Sequence, residues 1–151
     1  MIYSITSLRI HLLVLMGIAF KVRHIMTKDI ISIRTNASVS ETASAMVRND
    51  IGAVIVAKEG KPIGIITEVD ILKRYCIGKA SSQELKAEEI MSSPLITIEA
   101  DAAIGEAAKL MSDNKIRRLL VTEKGVIVGI ITEKDVLRAT LSYFENVLLT
   151  I

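Results

Sequence analysis

Slid by 65 residues, the chain matches itself. Ile25–Met26 falls on Ile90–Met91, and the register runs without a gap to Arg74 over Ala139. Nineteen of these fifty paired positions are identical, where unrelated stretches would share about three or four. A repeat of this length is one duplicated supersecondary unit, which restricts the fold to architectures that use the unit twice. The densest match lays Gly64-Ile65-Ile66-Thr67-Glu68-Val69-Asp70 over Gly129-Ile130-Ile131-Thr132-Glu133-Lys134-Asp135.

Each copy reads as strand, helix, strand, strand, helix. The β-branched runs at residues 30–33 and 95–98 predict short first strands. Ser38-Val39-Ser40-Glu41 fits a helix-capping box, and Val39, Ala43, Met46 and Val47 recur at helical spacing. Ile104, Ala107, Ala108 and Met111 repeat the stripe. Ala103 stands where Ser38 stood, and Asp101 is the candidate replacement cap. Residues 53–57 and 119–122 read as buried strands, with Gly60 and Gly125 at the turns that follow. Residues 63–66 and 128–131 return as the second strand of each hairpin. A closing helix is predicted over residues 68–75 and from residue 133 into the tail.

One copy of about 60 residues is marginal for a core of its own. The reading is therefore an α+β fold of two β-α-β-β-α repeats packed sheet to sheet with pseudo-two-fold symmetry, and paired sites are expected. The boundaries run as an N-terminal extension over 1–21, a first repeat over 22–76, a linker over 77–87, a second repeat over 88–139 and a helical tail over 140–151.

Composition narrows the function. Half the residues are hydrophobic and 24% are charged, enough for a packed core and against disorder. Nineteen Lys and Arg against seventeen Asp and Glu give +2, no electrostatic case for whole-surface nucleic-acid binding. Cys76 is the one cysteine, so an intrachain disulfide and a cysteine-cluster metal site are excluded. His11 and His24 lack the spacing of metal ligands, and no metal is expected. The apolar run at residues 12–20 is nine residues long, short of the roughly 20 that span a bilayer. It is expected first to add a peripheral helix or an extra strand, next to be residues added by an upstream start codon to a domain beginning near Met16, and last to be a membrane or export signal; a cytoplasmic location is expected.

Thr67-x-x-Asp70 and Thr132-x-x-Asp135 sit where a strand becomes a helix. Taken singly, each is a capping box in which the Thr oxygen accepts a backbone N–H and the acid suits the positive helix end. Its repetition in register, each time after Gly-Ile-Ile, points further. A carboxylate placed there can accept hydrogen bonds from the two hydroxyls of a ribose, with the Thr hydroxyl beside it. The helix N-terminus offers N–H groups to a phosphate.

The doubled pattern ending in Gly-Ile-Ile-Thr-Glu-x-Asp, with the openings Met26-Thr27 and Met91-Ser92, resembles the cystathionine β-synthase (CBS) domain family over about residues 22–139. Two such domains in tandem form a Bateman module. The resemblance implies a non-catalytic regulatory module that binds AMP, ADP, ATP or S-adenosylmethionine in clefts between the repeats and requires no cofactor. It implies that Thr67, Asp70, Thr132 and Asp135 hold ribose, and that Ile31 and Ile96 give backbone and apolar contacts to adenine. The start of the second strand lies near base or phosphate in the family. It holds Gly52 and Ala53 in the first copy, but Arg117 and Arg118 in the second. Arginine forks bind phosphate well, although the pair also suits a solvated strand end. Two unequal sites are therefore expected.

The resemblance also implies a homodimer through helical faces, joined by Leu141, Phe144, Val147 and Leu148 of the tail, and a separate regulated protein as partner. Two other readings compete: an interaction scaffold with vestigial sites, and a nucleic-acid binder, as some family members are, though without an aromatic platform or basic stripe here. An enzyme finds no support, since the chain has no nucleophile–base pair, P-loop or dinucleotide fingerprint.

Overall fold

A computed structural model describes residues 20–77 and 85–148, with side chains as far as residue 145. The expectation for residues 12–19, most of the linker, and the side chains of Val147 and Leu148 lie outside the described residues. The fold is α+β and carries two three-stranded sheets. The chain divides into two compact units, one running Asp29–Leu95 and the other joining the residues up to Lys28 to those from Ile96 onward.

In the continuous unit, β1 (Ser32–Arg34) runs parallel to β2 (Ala53–Lys58), which pairs antiparallel with β3 (Lys61–Thr67). Helix α1 (Val39–Arg48) lies between β1 and β2 in the chain. Ser38 accepts from the Glu41 amide at 3.1 Å and Glu41 accepts from the Ser38 amide at 2.7 Å, the reciprocal cap its sequence predicts. The Ser38 amide first, and the Ser38 hydroxyl second, hold the Glu41 carboxyl below its ordinary pKa. Helix α2 (Glu68–Asp70) widens at once into a π-helix over Ile71–Cys76. A short α3 (Ala87–Ile90) follows. Val39, Met46, Val54, Val56, Ile66, Ala87 and Ile90 form the core.

The discontinuous unit repeats the plan with β4 (Thr97–Glu99), α4 (Ile104–Asn114), β5 (Arg118–Glu123), β6 (Val126–Thr132) and α5 (Glu133–Leu148). Val22, Ile98, Ala107, Met111, Leu119, Val121 and Ile131 centre its core. Each first strand starts two residues later than predicted. Ile31 and Ile96 pack against the cores, and only their carbonyls join the ladder, accepting from Ile55 and Leu120.

The segment that opens each repeat packs with the sheet of the other repeat's sequence. Thr27 bridges antiparallel to Ile130 on the outer edge of β6, and Ser92 does the same to Ile65 on β3. The edges are thus covered rather than left to pair with other chains. This contact explains the glycine of the Gly-Ile-Ile motif. A Cβ on Gly129 would lie 2.7 Å from Met26 Sδ and 2.9 Å from the Thr27 carbonyl oxygen. On Gly64 it would collide with the Met91 side chain.

Asp101 does not cap α4. It accepts from Lys21 at 2.8 Å and from Arg23 at 3.0 Å, and Ala103 offers no side-chain cap. The Phe20 carbonyl instead takes the Ile104 amide at 2.9 Å, as Leu85 takes that of Val39 in the other unit. A backbone oxygen thus satisfies one orphan donor of each helix. These bonds, Arg23 first, lower the Asp101 carboxyl to about 2.

Candidate functional site

The ladder registers carry the predicted residues to one end of each sheet. In the discontinuous unit, β6 delivers Thr132 opposite Arg118 at the start of β5. Directly opposed residues of an antiparallel pair share a face, so Arg118 and Thr132 project on the same side. Arg117 is exposed, and its carbonyl accepts the Glu133 amide at 3.1 Å, tying the strand start to the first turn of α5. Ile96 enters β4 at the same end and is half-buried. In the continuous unit the same register sets Ala53 opposite Thr67, with Gly52 beside it and Ile31 at the entry to β1.

The capping box forms at both junctions. Asp70 Oδ2 accepts from the Thr67 amide and hydroxyl, both at 2.8 Å. Asp135 Oδ2 accepts from the Thr132 amide at 2.8 Å and its hydroxyl at 2.7 Å. Capping consumes only one carboxylate oxygen in each case, so the structural role leaves a ribose role open.

The second oxygen separates the copies. Asp70 Oδ1 accepts from Ser92 Oγ at 3.1 Å and faces Arg74 Nη2 at 3.6 Å. Arg74 is held there by the carbonyls of Ile90 at 2.9 Å and Met91 at 2.6 Å. It stands on the π-helix, a widened turn often found where a side chain must be re-aimed. Ala139 occupies the equivalent place in the second copy, and Thr27 the equivalent of Ser92. Asp135 Oδ1 accepts no hydrogen bond from a described residue, and Asp135 is partly exposed. It can therefore accept from a guest, while Asp70 is already engaged.

Sequence reasoning missed Arg74 and Ser92. The available signal was the failure of Arg74 to repeat at Ala139; Ser92 over Thr27 keeps a hydroxyl and gave none. Among the described residues no group of three or more His, Cys, Asp or Glu is placed to hold a metal ion, and no helix is long and apolar enough to cross a membrane.

The family model described as CBS domain matches residues 22–76 and 87–142. An uncharacterized protein of Methanopyrus kandleri is 38% identical over 119 residues, covering 78% of this chain and 61% of its own. One of Methanocaldococcus jannaschii is 37% identical over 131 residues, covering 78% of this chain. The chain thus spans under two thirds of the length of these relatives, and 31% of the second. Among solved structures, the CBS domain pair of protein MJ0100, in complex with 5-methylthioadenosine and S-adenosyl-L-methionine, superposes with a TM-score of 0.73. It is 31% identical, and the match covers 82% of this chain and 98% of that one.

Proposed function

The chain belongs to the CBS domain family, and we propose that it is a non-catalytic regulatory module whose principal adenosine-binding site is the Thr132–Asp135 junction. In this reading Asp135 and Thr132 hold the ribose, Ile96 lies against the base, and Arg117 and Arg118 neutralise a phosphate. The observation that carries it is Asp135 Oδ1, presented beside a fixed Thr hydroxyl without a protein donor among the described residues. The adenosine ligands of the MJ0100 pair support the ligand class. The arginine pair favours AMP, ADP or ATP over S-adenosylmethionine, whose sulfonium repels cations.

The Thr67–Asp70 junction, with Ile31, Gly52 and Ala53, is the weaker site. Its acid is engaged by Ser92 and Arg74, which favours a scaffold role for that copy. The module acts in the cytoplasm on a separate protein, as a homodimer. The exposed Leu137, Leu141 and Phe144 of α5 are the apolar face for that contact.

A thermal-shift panel of AMP, ADP, ATP and S-adenosylmethionine tests the proposal, because a ligand that binds only the folded chain raises its melting temperature. Wild type is expected to respond most to a phosphorylated ligand. Asp135→Ala loses the response, Asp70→Ala keeps most of it, and Arg118→Ala weakens it. A wild type that ignores all four compounds overturns the proposal. So does a response that survives Asp135→Ala.

A further inference from the structure

An open groove of about 1100 Å³ runs along α1 and β1 of the continuous unit. Three elements each bring a cation to it: Arg34 at the end of β1, Arg48 at the end of α1 and Lys58 at the end of β2. All three are exposed, and none forms an ion pair within the described residues. Arg48 makes one weak bond, to the Ser44 carbonyl at 3.3 Å. Two acids also border the groove. Glu41 is committed to the α1 cap, and Glu59 sits in the hairpin turn.

The duplication supplies an internal control. Shifted by 65, Arg34, Arg48 and Lys58 become Glu99, Asp113 and Glu123. Every one of these acids has a partner: Glu99 accepts from Thr122 Oγ1, Asp113 from Lys109, and Glu123 from Arg23. The space differs as well. Ala45 lines the groove, whereas its counterpart Leu110 packs onto the neighbouring core. One copy has filled this region with apolar bulk and internally paired acids. The other has Ala45 in place of the bulk and three cations in place of the acids; with Glu41 and with Glu59, where the second copy has Lys124, the groove keeps one positive charge in excess. The excess positive charge of the groove favours an anion.

We propose that this groove binds a small, multiply charged anion of the phosphate class. Two guanidinium groups and one ammonium supply the charge-assisted hydrogen bonds, with Thr35 and Asn36 of the lining as neutral donors. The site is independent of the adenosine junction, and its test is separable from the one above.

The full-length chain is titrated with inorganic pyrophosphate while backbone amide resonances are followed. Saturable shifts are expected at Thr35, Asn36, Lys58 and Gly60, weakening with added salt and persisting in Asp135→Ala. Arg34→Glu with Lys58→Glu, which restores the other copy's charges, is expected to lower affinity by about tenfold or more. Ala45→Leu fills the groove without altering charge and is also expected to weaken binding; it carries the test if the double variant fails to fold. The proposal is overturned by the absence of saturable shifts at those four amides. It is equally overturned by affinity that neither variant changes, or by shifts confined to Arg117 and Arg118.

Discussion

Asp70 and Asp135 stand at equivalent strand-to-helix junctions and make the same two bonds through Oδ2. They differ in what reaches Oδ1: a serine hydroxyl and an arginine in the first copy, nothing described in the second. In residue type the difference is Arg74 against Ala139; Thr27 keeps the hydroxyl of Ser92 but does not donate it to Asp135. Duplication preserved the capping geometry in both copies, because a helix start needs it twice. The outer oxygen serves no helix, so its surroundings were able to diverge. A motif that repeats therefore does not establish a site that repeats.

The largest expected effect concerns the core that both copies share. Ile66 and Ile131 are fully buried and occupy matching places. Truncating either to Ala is expected to cost about 2–5 kcal/mol in denaturant unfolding. Costs that agree would show two equivalent cores, and a gap of several kcal/mol would break the comparison there.

The motif glycines come next. Gly129→Ala places its methyl against a backbone carbonyl as well as Met26, whereas Gly64→Ala meets only the Met91 side chain. Overpacking of this kind costs about 1–3 kcal/mol. Gly129→Ala is expected at the upper end and Gly64→Ala below it, since a thioether can swing aside and a main chain cannot. Equal losses of melting temperature would remove this asymmetry.

The helix starts give a smaller contrast. Ser38→Ala removes a formed cap and is expected to cost about 1 kcal/mol. The mirror change, Ala103→Ser, creates the chance of one and is expected to raise stability by a smaller amount. A destabilised Ala103→Ser would show that the Glu106 amide stays with the Ala103 carbonyl, to which it donates at 3.0 Å.

The smallest effect is acid dependence. Asp101 titrates at about 2, below its ordinary value of 3.8, because Arg23 and Lys21 favour the carboxylate. Its contribution to stability is therefore complete above the ordinary value and is lost as pH falls through about 2. Asp101→Asn is expected to flatten this part of the pH profile. An unchanged acid slope would mean that the pair contributes nothing, as exposed pairs often do.

Much of this was legible from residue pattern. The 65-residue register located both hairpins, both Thr-x-x-Asp junctions and the Ser38 cap, since local spacing dictates all of these. The start of each first strand was displaced because Ile30, Ile31, Leu95 and Ile96 look like strand to any periodicity. Packing and main-chain pairing begin at different residues there. Asp101 was misread because a short polar residue near a helix start is ordinarily a cap, and nothing local reveals cations 80 and 78 residues earlier in the chain. The guarding of Asp70 was hidden for the same reason, since Ser92 is separated from it by 22 residues. The division of the chain was also opaque. Repeats can be counted in a sequence, but the sheet on which a leading segment lies cannot.

That division bears on the order in which the molecule can be built. The stretch from residue 29 to residue 95 forms an uninterrupted insert within the other unit. A ribosome releases the whole insert before β6 can emerge, so that unit can close during synthesis. Val22 and Met26 emerge before the insert, yet Ile131 and Gly129, which pack against them, arrive near the end. The earliest apolar side chains of the described chain thus wait longest for shelter, and a pause late in translation would prolong their exposure.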